Sequence, residues 1–519
     1  MMSKERYKLH PISAVLNFIK GLKDLIFPFV IIFVANGFQG GASEDRSWMS
    51  YIPYGIGIVV LLLVLCSGII KWKRFVYWFE DDELRIEYGL FVKKKRYIPI
   101  ERIQSLNYTE GILHRPLKLV KVTIETAGSG ASKEAEAELT AITKEAAKHI
   151  ETELAQAKKR KLNKTIEVDL VVDSVDDVDH VAEVTSIPIF KMSIKDLIIL
   201  ATTSGGIGVV FSGIAVFASQ FSELIPYERI YNEVVVLLKF GFFIVAISIF
   251  AVLLVAWLVS VALTILNYYQ FAIVQEDDQI VMTRGLLEKK KVTIPLSRVQ
   301  GIRIIENPLR QLFGYCTVIL ESAGGSVGDK EQKIRLFPLV KKNKIEQPLQ
   351  KLFTDLEIEP NWTLSPRRAK VYYYRLDFFW MIPAVVSVSY FFYPFGLFSL
   401  LIIPIIALLG LWQHRSAAFA VTENQLSLRN RGFSKSTYFI EKKRMQSFNM
   451  KQSLFQKRKK LASIETTIKS GLLGVTAKVD HMNVEDIEEV MTWYEPSGET
   501  KKDRTAVIAA VLWTTGCGS

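Results

Sequence analysis

The chain has 519 residues, of which 50% are hydrophobic and 23% are charged, and its formal net charge is +12. A mean hydropathy of +0.21 with an ordinary share of charge requires that apolar and charged residues be segregated along the chain. This excludes a disordered chain and a small disulfide scaffold. Cys66, Cys316 and Cys517 form no CxxC or Cys/His cluster, so neither disulfides nor a zinc site is indicated.

Five long charge-free runs predict membrane helices, because about 20 apolar residues span a bilayer. The runs are residues 25–43, 47–70, 197–222, 240–275 and 378–413. The fourth predicts a helix to about Leu266 and then a strand, and the fifth turns at Tyr393-Pro394-Phe395-Gly396 to give two short helices. The total is six spans in three hairpins.

The loops between the two spans of hairpins 1 and 2 are short and acidic, whereas the lysine and arginine clusters lie on the other side. Glu44 and Asp45 oppose one arginine in the first loop, while Lys71 to Arg74 follow the second run. The positive-inside rule therefore predicts a multi-pass protein of the cytoplasmic membrane with both termini in the cytoplasm.

A repeated pattern follows each hairpin. Residues 75–128 and 271–324 align without a gap at an offset of 196, and a weaker third copy begins near Ala417. The shared features in the first copy are Glu80-Asp81-Asp82, Gly89-Leu90, Lys93-Lys94-Lys95, Ile98-Pro99 and Arg102-Ile103-Gln104. Each copy reads as short strands followed by a helix, predicted at residues 140–161, 341–353 and 484–494.

This pattern resembles the bacterial pleckstrin-homology (PH) domain of the YdbS-like family, and three such domains with paired membrane helices resemble its larger YdbT-type members. The resemblance covers nearly the whole chain, although the third copy lacks the Ile-Pro step. It implies a PH-like two-sheet β sandwich with a C-terminal helix after each hairpin. It implies no reaction, because the activity of the family is not established.

The fold class is therefore membrane α plus cytoplasmic β, with six transmembrane helices and three PH-like domains. The predicted cytoplasmic N-terminus is 1–24, the hairpins are 25–72, 193–266 and 376–413, and the PH-like domains are 73–162, 267–356 and 414–496. An acidic linker is placed at 163–192, a second linker at 357–375 and a tail at 497–519.

Three groups of residues are candidates for a chemical role: the acidic turn pairs, the histidines and the repeated Arg and Gln residues. The acidic pairs at the hairpin turns are interpreted as turn residues rather than as a general acid and base, since aspartate favours turns. The six histidines form no metal-binding pattern. The repeated pairs can grip phosphate through arginine or make structural hydrogen bonds, and we favour the structural role for Arg102 and Gln104, Arg298 and Gln300, and Arg444 and Gln446.

The net charge is concentrated in the third copy. Residues 415–470 contain thirteen basic and three acidic residues, whereas the corresponding segments of the first two copies each carry +1. The candidate residues for binding a headgroup or a partner are Lys442, Lys443, Arg444, Lys457, Arg458, Lys459 and Lys460. Because the domain is tethered to a membrane, anionic lipid is the nearer partner, and nucleic acid is not predicted.

The leading hypothesis is a non-enzymatic membrane protein, without a cofactor, that acts as a scaffold or sensor in envelope maintenance or stress resistance. Its expected partners are membrane lipid, with anionic headgroups, and another membrane protein of the same family. The alternative is a transporter or exporter of an amphipathic compound, disfavoured because the runs contain no mid-membrane acidic or basic residue.

Overall fold

The computed structural model describes most of the chain outside several loops, membrane segments and the two ends. The described residues are 6–22, 52–126, 137–154, 186–204, 242–323, 334–393, 395–471 and 474–495, together with Leu25 and Gln156. The predicted acidic linker before Ser186, the loops between the spans of hairpins 1 and 2, and the tail lie outside them.

Eleven α-helices are present in these residues. They are α1 (Ile12–Leu22), α2 (Ile52–Arg74), α3 (144–154), α4 (Ile194–Thr203), α5 (Phe242–Tyr268), α6 (Pro308–Leu312), α7 (Glu346–Leu352), α8 (Tyr372–Phe391), α9 (Ile402–Ser416), α10 (Leu454–Lys457) and α11 (Val484–Tyr494).

Three helical stretches are long and apolar enough to cross a membrane. They are Gly55–Arg74, Phe250–Tyr268 and Gly396–Ser416, and Phe379–Phe391 is a shorter apolar helix. The predicted turn of hairpin 3 is confirmed, because α8 ends at Phe391 and a 3-10 helix, Phe395–Leu401, leads into α9. The helix of the fourth run, predicted to end near Leu266, ends two residues later at Tyr268. The first span and most of the third lie outside the described residues, so six spans remain a prediction.

Each hairpin is followed by three strands, which form the first half of a repeat. These strands are β2 (Val76–Glu80), β3 (Glu83–Tyr88) and β4 (Lys94–Pro99) in repeat 1, β9 (Ala272–Glu276), β10 (Gln279–Arg284) and β11 (Lys289–Pro295) in repeat 2, and β16 (Ala418–Val421), β17 (Gln425–Arg431) and β18 (Lys435–Glu441) in repeat 3.

The second half of each repeat has three more strands. They are β5 (Ile103–Glu110), β6 (Leu119–Thr126) and β7 (Ala137–Thr143), then β12 (Val299–Glu306), β13 (Tyr315–Ser322) and β14 (Ile334–Lys341), and finally β19 (Met445–Lys451), β20 (Leu461–Ile468) and β21 (Val475–Asn483).

A further strand precedes each hairpin and pairs with the first strand after it, which the sequence analysis did not predict. Tyr7–Lys8 (β1) pairs with β2, Ser186–Lys191 (β8) with β9, and Thr363–Leu364 (β15) with β16, all antiparallel. The chain therefore leaves each sheet before a predicted membrane hairpin and returns to the same sheet after it.

The predicted acidic turns are confirmed. Glu80 pairs with Glu83, and the intervening Asp81 and Asp82 have φ values of 53° and 55°, as expected for a two-residue type I′ turn. Asp277 has the same left-handed conformation in repeat 2. Aspartate tolerates this conformation, so the acidic pairs have a sufficient structural role.

The C-terminal helices of repeats 1 and 2 begin later than predicted. In repeat 1 the helix begins at residue 144, because β7 continues through Thr143, and its predicted end lies outside the described residues; in repeat 2 the helix covers Glu346–Leu352, because β14 and a 3-10 turn occupy the residues before it. The boundaries of α11 agree with the prediction. The predicted starts were wrong because the β-branched Thr140, Ile142 and Thr143 complete β7 in repeat 1, and because Lys342–Lys344 form a 3-10 turn after β14 in repeat 2.

Consecutive repeats share sheets, a linkage between the β domains that the sequence left open. One sheet has the order β7-β6-β5-β11-β10-β9-β8 and joins repeat 1 to repeat 2. Another contains β13, β12, β18, β17, β16 and β15 in that order and joins repeat 2 to repeat 3. The β5–β11 seam lies in one compact unit of the chain and the β12–β18 seam lies in the other.

The two seams have the same register. Glu110 faces Lys289 in the first seam, and their repeat equivalents Glu306 and Lys435 face each other in the second. Beyond the pair of Glu306 and Lys435, the second seam contains four more residue pairs, the last of which is Ile302 opposite Phe439. We call β5, β12 and β19 donor strands, and β4, β11 and β18 acceptor strands.

Apolar residues from both halves of a repeat form the cores of repeats 1 and 3. In repeat 1 Leu84 and Ile98 of the first half meet Val122 of the second half and Ile150 of α3. In repeat 3 Leu426 and Ile440 pack with Ile464, and Ile487 of α11 closes the core. Each fully buried side chain of this size contributes about 1.5–3 kcal/mol, so each core stabilises its repeat strongly.

Candidate membrane-facing site

The first half of each repeat is attached to the end of the helix that precedes it. In repeat 1 the Arg74 guanidinium donates to the carbonyl oxygen of Leu90 at 2.6 Å, and in repeat 2 the Leu286 backbone N–H donates to the carbonyl oxygen of Leu266 at 2.8 Å. In repeat 3 Arg431 donates to the Ser416 hydroxyl at 2.9 Å. The β-hairpin loop that joins the second and third strands of each repeat therefore lies at the end of a membrane helix.

In repeat 3 the loop between β19 and β20 lies near the beginning of α8. The Tyr372 hydroxyl, at the first residue of α8, donates to the carbonyl oxygen of Phe455 at 2.8 Å, and Arg368 donates to the carbonyl oxygen of Lys460 at 3.3 Å. Because α8 and α9 form a hairpin, the start of α8 and the end of α9 are on the same side. This loop therefore lies on the membrane side of repeat 3.

A capping box fixes the shape of this loop. The Ser453 hydroxyl accepts from the Gln456 backbone N–H, and the Gln456 side chain accepts from the Ser453 backbone N–H at 2.8 Å. The helix start that results holds Leu454 outward with 83% of its side chain exposed, and Phe455 is also exposed. Lys457, Arg458, Lys459 and Lys460 follow directly and are all exposed.

Exposed apolar residues recur at the same loop in the other repeats. Ile112 and Leu113 are exposed in repeat 1, and Leu309, Leu312 and Phe313 are exposed in repeat 2. Exposed apolar side chains rimmed by basic residues at the ends of membrane helices are typical of contact with the lipid interface. We call Leu454, Phe455 and Lys457 to Lys460 the membrane-facing site of repeat 3.

The structure does not bring the two predicted basic clusters together. Lys442, Lys443 and Arg444 precede β19, whereas Lys457 to Lys460 follow it, and a seven-residue strand separates them by about 23 Å. Lys442 lies over the Trp493 ring and donates to its carbonyl oxygen, and Lys443 pairs with Glu441 at 3.0 Å. Lys442 is therefore engaged at the end of α11 and Lys443 pairs with Glu441 of β18, so only the second cluster belongs to the membrane-facing site.

The repeated Arg and Gln residues lie where each second half begins. Gln104, Gln300 and Gln446 each fall at a register shift between the donor strand and its neighbour. Arg102 is exposed, and Arg444 lies 3.9 Å from Glu441. The glutamines thus occupy β-bulges, which bend a strand locally.

Arg298 has a different environment, because it contacts the preceding repeat. Its guanidinium lies 3.4 Å from Glu125, and the exposed fractions of the two side chains are 9% and 12%. Glu125 also accepts from Ser105 at 3.0 Å and from Asn107 at 2.9 Å. Burial lowers the pKa of Arg298, and Glu125 opposes that shift. These contacts make Arg298 a seam residue.

Sequence reasoning missed the apolar half of the site and the seam. The Ser453-x-x-Gln456 pattern could have indicated the capping box directly after a strand, and hence the exposure of the two residues between. The seam has no comparable local signal. Within the described part of the chain, no group of three or more His, Cys, Asp or Glu residues is arranged to hold a metal ion.

The protein has helices that can span a membrane, and a repeated antiparallel β domain follows them each time. This architecture is that of a membrane-tethered PH-domain protein. The Bacterial PH domain family model matches residues 27–158, 233–352 and 378–497, so the chain belongs to this family. It is 36% identical to the UPF0699 transmembrane protein YdbT of Bacillus subtilis (strain 168), over 95% of this chain and 99% of that protein. No solved structure matches the chain.

Proposed function

We propose that this protein is a non-enzymatic, multi-pass scaffold or sensor of the cytoplasmic membrane that serves cell-envelope maintenance or stress resistance. Its three cytoplasmic PH-like repeats would bind at the inner membrane surface. The observation that carries the proposal is the membrane-facing site of repeat 3, where exposed Leu454 and Phe455 precede four exposed basic residues.

The chemistry of this site favours anionic headgroups. A leucine and a phenylalanine gain free energy when they enter the acyl boundary, and each well-placed lysine or arginine beside an anionic leaflet contributes roughly 1 kcal/mol. The tethers at Tyr372 and Arg368 hold the loop beside the start of α8. The site therefore needs only a short movement to reach lipid.

A scaffold role agrees with the linked sheets. Because each seam joins two repeats through backbone hydrogen bonds, a change in how repeat 3 contacts lipid would act directly on repeat 2 through β12 and β18. Binding domains in series are a means of presenting several surfaces at once rather than of performing a reaction.

The test places an environment-sensitive dye at Leu454→Cys in the full chain, with the three native cysteines replaced by alanine. The chain is reconstituted in phosphatidylcholine nanodiscs with and without phosphatidylglycerol. We expect a blue shift that grows with the anionic lipid. Replacing Lys457 and Lys459 with glutamine removes about 2 kcal/mol, so the response should require much more anionic lipid.

The matched control replaces Lys443 and Lys469 with glutamine. Both are exposed lysines of repeat 3 at the other end of β19, so the overall charge changes equally. We expect this variant to respond like the unmodified chain. A dye response that is the same in neutral and anionic nanodiscs, or equal losses in the two variants, would contradict the lipid-binding role.

A further inference from the structure

In the part of the chain that the structure describes, two strands, β4 of repeat 1 and β19 of repeat 3, lack the partner strand from another repeat that the equivalent strands of the two seams have. Among the described residues, β4 is the edge of the β1-β2-β3-β4 sheet, and β19 is the edge of the β19-β20-β21 sheet. The acceptor strands β11 and β18 pair with the donor strands of the preceding repeat, whereas no donor strand pairs with β4 of repeat 1 among the described residues. Likewise no acceptor strand pairs with β19 of repeat 3 among these residues.

Both internal seams use two glutamates of the donor repeat. The first lies opposite a lysine at the end of the register: Glu306 lies 2.6 Å from Lys435, and Glu110 lies opposite Lys289 while its carboxylate is 2.7 Å from Lys144 of its own repeat. The second glutamate reaches further into the next repeat. Glu125 contacts Arg298 at 3.4 Å, and its equivalent Glu321 accepts from the Ser470 hydroxyl at 2.7 Å.

Repeat 1 keeps the basic side of this arrangement. Lys93 occupies the position of Lys289, and Arg102 occupies the position of Arg298. Arg102 is exposed, whereas Arg298 is buried against its glutamate. Lys93 pairs with Glu87 of its own sheet at 2.6 Å and remains largely exposed. The exposed β4 edge thus presents the equivalent of Lys435, which binds a glutamate in the second seam, and the equivalent of Arg298, which binds a glutamate in the first seam.

Repeat 3 lacks both of the glutamates that the donor repeats use in the internal seams. Gln452 stands at the position of Glu110 and Glu306, and Thr467 stands at the position of Glu125 and Glu321. If β19 of a second copy paired with β4 in the seam register, Lys451 would face Lys94. Like charges directly opposite each other destabilise a strand pair, so this arrangement disfavours chains of identical copies.

We propose that β4 of repeat 1 is the docking edge for a different protein that contains a PH-like repeat. The donor strand of that protein pairs with β4 by β-strand addition, in the register of the internal seams. It carries glutamates at the positions of Glu110 and Glu125, which meet Lys93 and Arg102. The main-chain pairing supplies affinity, and the two charged contacts select the partner against the chain's own β19.

The first experiment uses the full chain in its native cells with a photo-crosslinking amino acid in place of Tyr97, an exposed residue of β4. We expect a crosslink to a second protein, mapped by mass spectrometry to the donor strand of a PH-like repeat with both glutamates. Lys93→Glu with Arg102→Glu should abolish it. The control position is Asn449, exposed on the β19 edge, which should give no such crosslink.

Three results would overturn the proposal: crosslinks only to lipid, crosslinks to residues 445–452 of a second copy, or no protein crosslink at Tyr97. A crosslink to a second protein at a segment without the donor-strand pattern would also overturn it. A crosslink that survives the charge reversal would show that the basic residues do not select the partner.

The second experiment restores the acidic side in this chain. One full-length chain carries Gln452→Glu, Thr467→Glu and Asn449→Cys, the other carries Arg96→Cys, and both lack the native cysteines. In the seam register residue 449 faces residue 96, so we expect disulfide-linked pairs in micelles at least tenfold above those formed without the two glutamates. Equal crosslinking with and without them, or none in either case, would refute the selection by charge.

Thermal unfolding of each chain would be measured beforehand, and Gln452→Glu alone serves as a milder variant. Gln452 is exposed, but its side-chain amide donates to the Leu461 carbonyl oxygen at 2.9 Å, so the unfolding temperature of this single variant decides whether its fold is intact. A smaller but definite increase in pairs with the single variant would support the proposal. No increase from a single variant that unfolds like the parent chain would count against it.

Discussion

Replacing Glu306 with glutamine should weaken the seam between repeats 2 and 3. Glu306 lies 2.6 Å from the Lys435 ammonium, and the exposed fractions of these side chains are only 6% and 12%. Removing one member of a buried ion pair leaves the other charge uncompensated, which typically costs about 3–5 kcal/mol. We expect a loss near the lower end of this range, since Lys435 keeps a little contact with water.

The measurement is backbone hydrogen exchange of β12 and β18 in the full chain reconstituted in nanodiscs. A loss of about 3 kcal/mol corresponds to exchange roughly 100-fold faster if these strands exchange through opening of the seam. Glu306→Leu with Lys435→Met should recover most of the protection, because two apolar side chains leave no buried charge.

The matched control is Glu441→Gln at the other end of β18. Lys443 lies 3.0 Å from Glu441, but this pair is 70% and 45% exposed, so the loss should stay below about 1 kcal/mol. The reasoning fails if Glu306→Gln leaves exchange unchanged, or if the double variant is as unstable as the single one.

We also expect the stability that the Glu306→Gln variant loses to depend on pH. Burial lowers the pKa of Lys435, and the Glu306 carboxylate opposes this shift, so Glu306→Gln lowers the pKa further. Between the folded-state pKa and the ordinary lysine value, the unfolded chain binds the proton more strongly, and stability therefore rises with pH. The deficit of the variant should be largest below its folded-state pKa and shrink as the pH approaches the ordinary lysine value.

Three further predictions concern single positions. Burial lowers the pKa of His481, whose Nδ1 accepts from Gln456, so the melting temperature should fall as the pH drops from the ordinary histidine pKa to the folded-state value, and His481→Asn should remove this dependence. Burial raises the pKa of the Cys316 thiol to about 12, so alkylation in a chain without the other cysteines, followed by mass spectrometry, should occur only on unfolding. Gly89 has φ +135°, and a Cβ added there would clash with the Val92 carbonyl oxygen, so Gly89→Ala should lower the free energy of unfolding by about 1–3 kcal/mol, measured by thermal unfolding. Gly432→Ala is the control, because a Cβ added there meets nothing within 4 Å. A pH-independent melting temperature, rapid native alkylation or equal effects of the two alanines would refute the respective prediction.

The sequence by itself determined the order and kind of the elements. Apolar run length predicted the helices around Gly55–Arg74 and Phe250–Tyr268, because a span is recognised from local composition alone. The internal repeat and its resemblance predicted the bacterial PH domains, and the aspartate pairs predicted the first hairpin turn of the first two copies. The basic cluster from Lys457 was also visible, since net charge is a sum over neighbouring residues.

Only the tertiary structure decided which strands meet and which basic residues face the membrane. Lys442 and Lys457 look equivalent in sequence, yet opposite ends of β19 place one beside Trp493 and the other beyond exposed Leu454. The pairing of Glu306 with Lys435 spans more than a hundred residues, and strand partners at that distance leave no periodic signal in either segment. The physical reason is that backbone hydrogen bonds join any two compatible strand edges, so the selection of β18 by β12 depends on the folded arrangement of the chain.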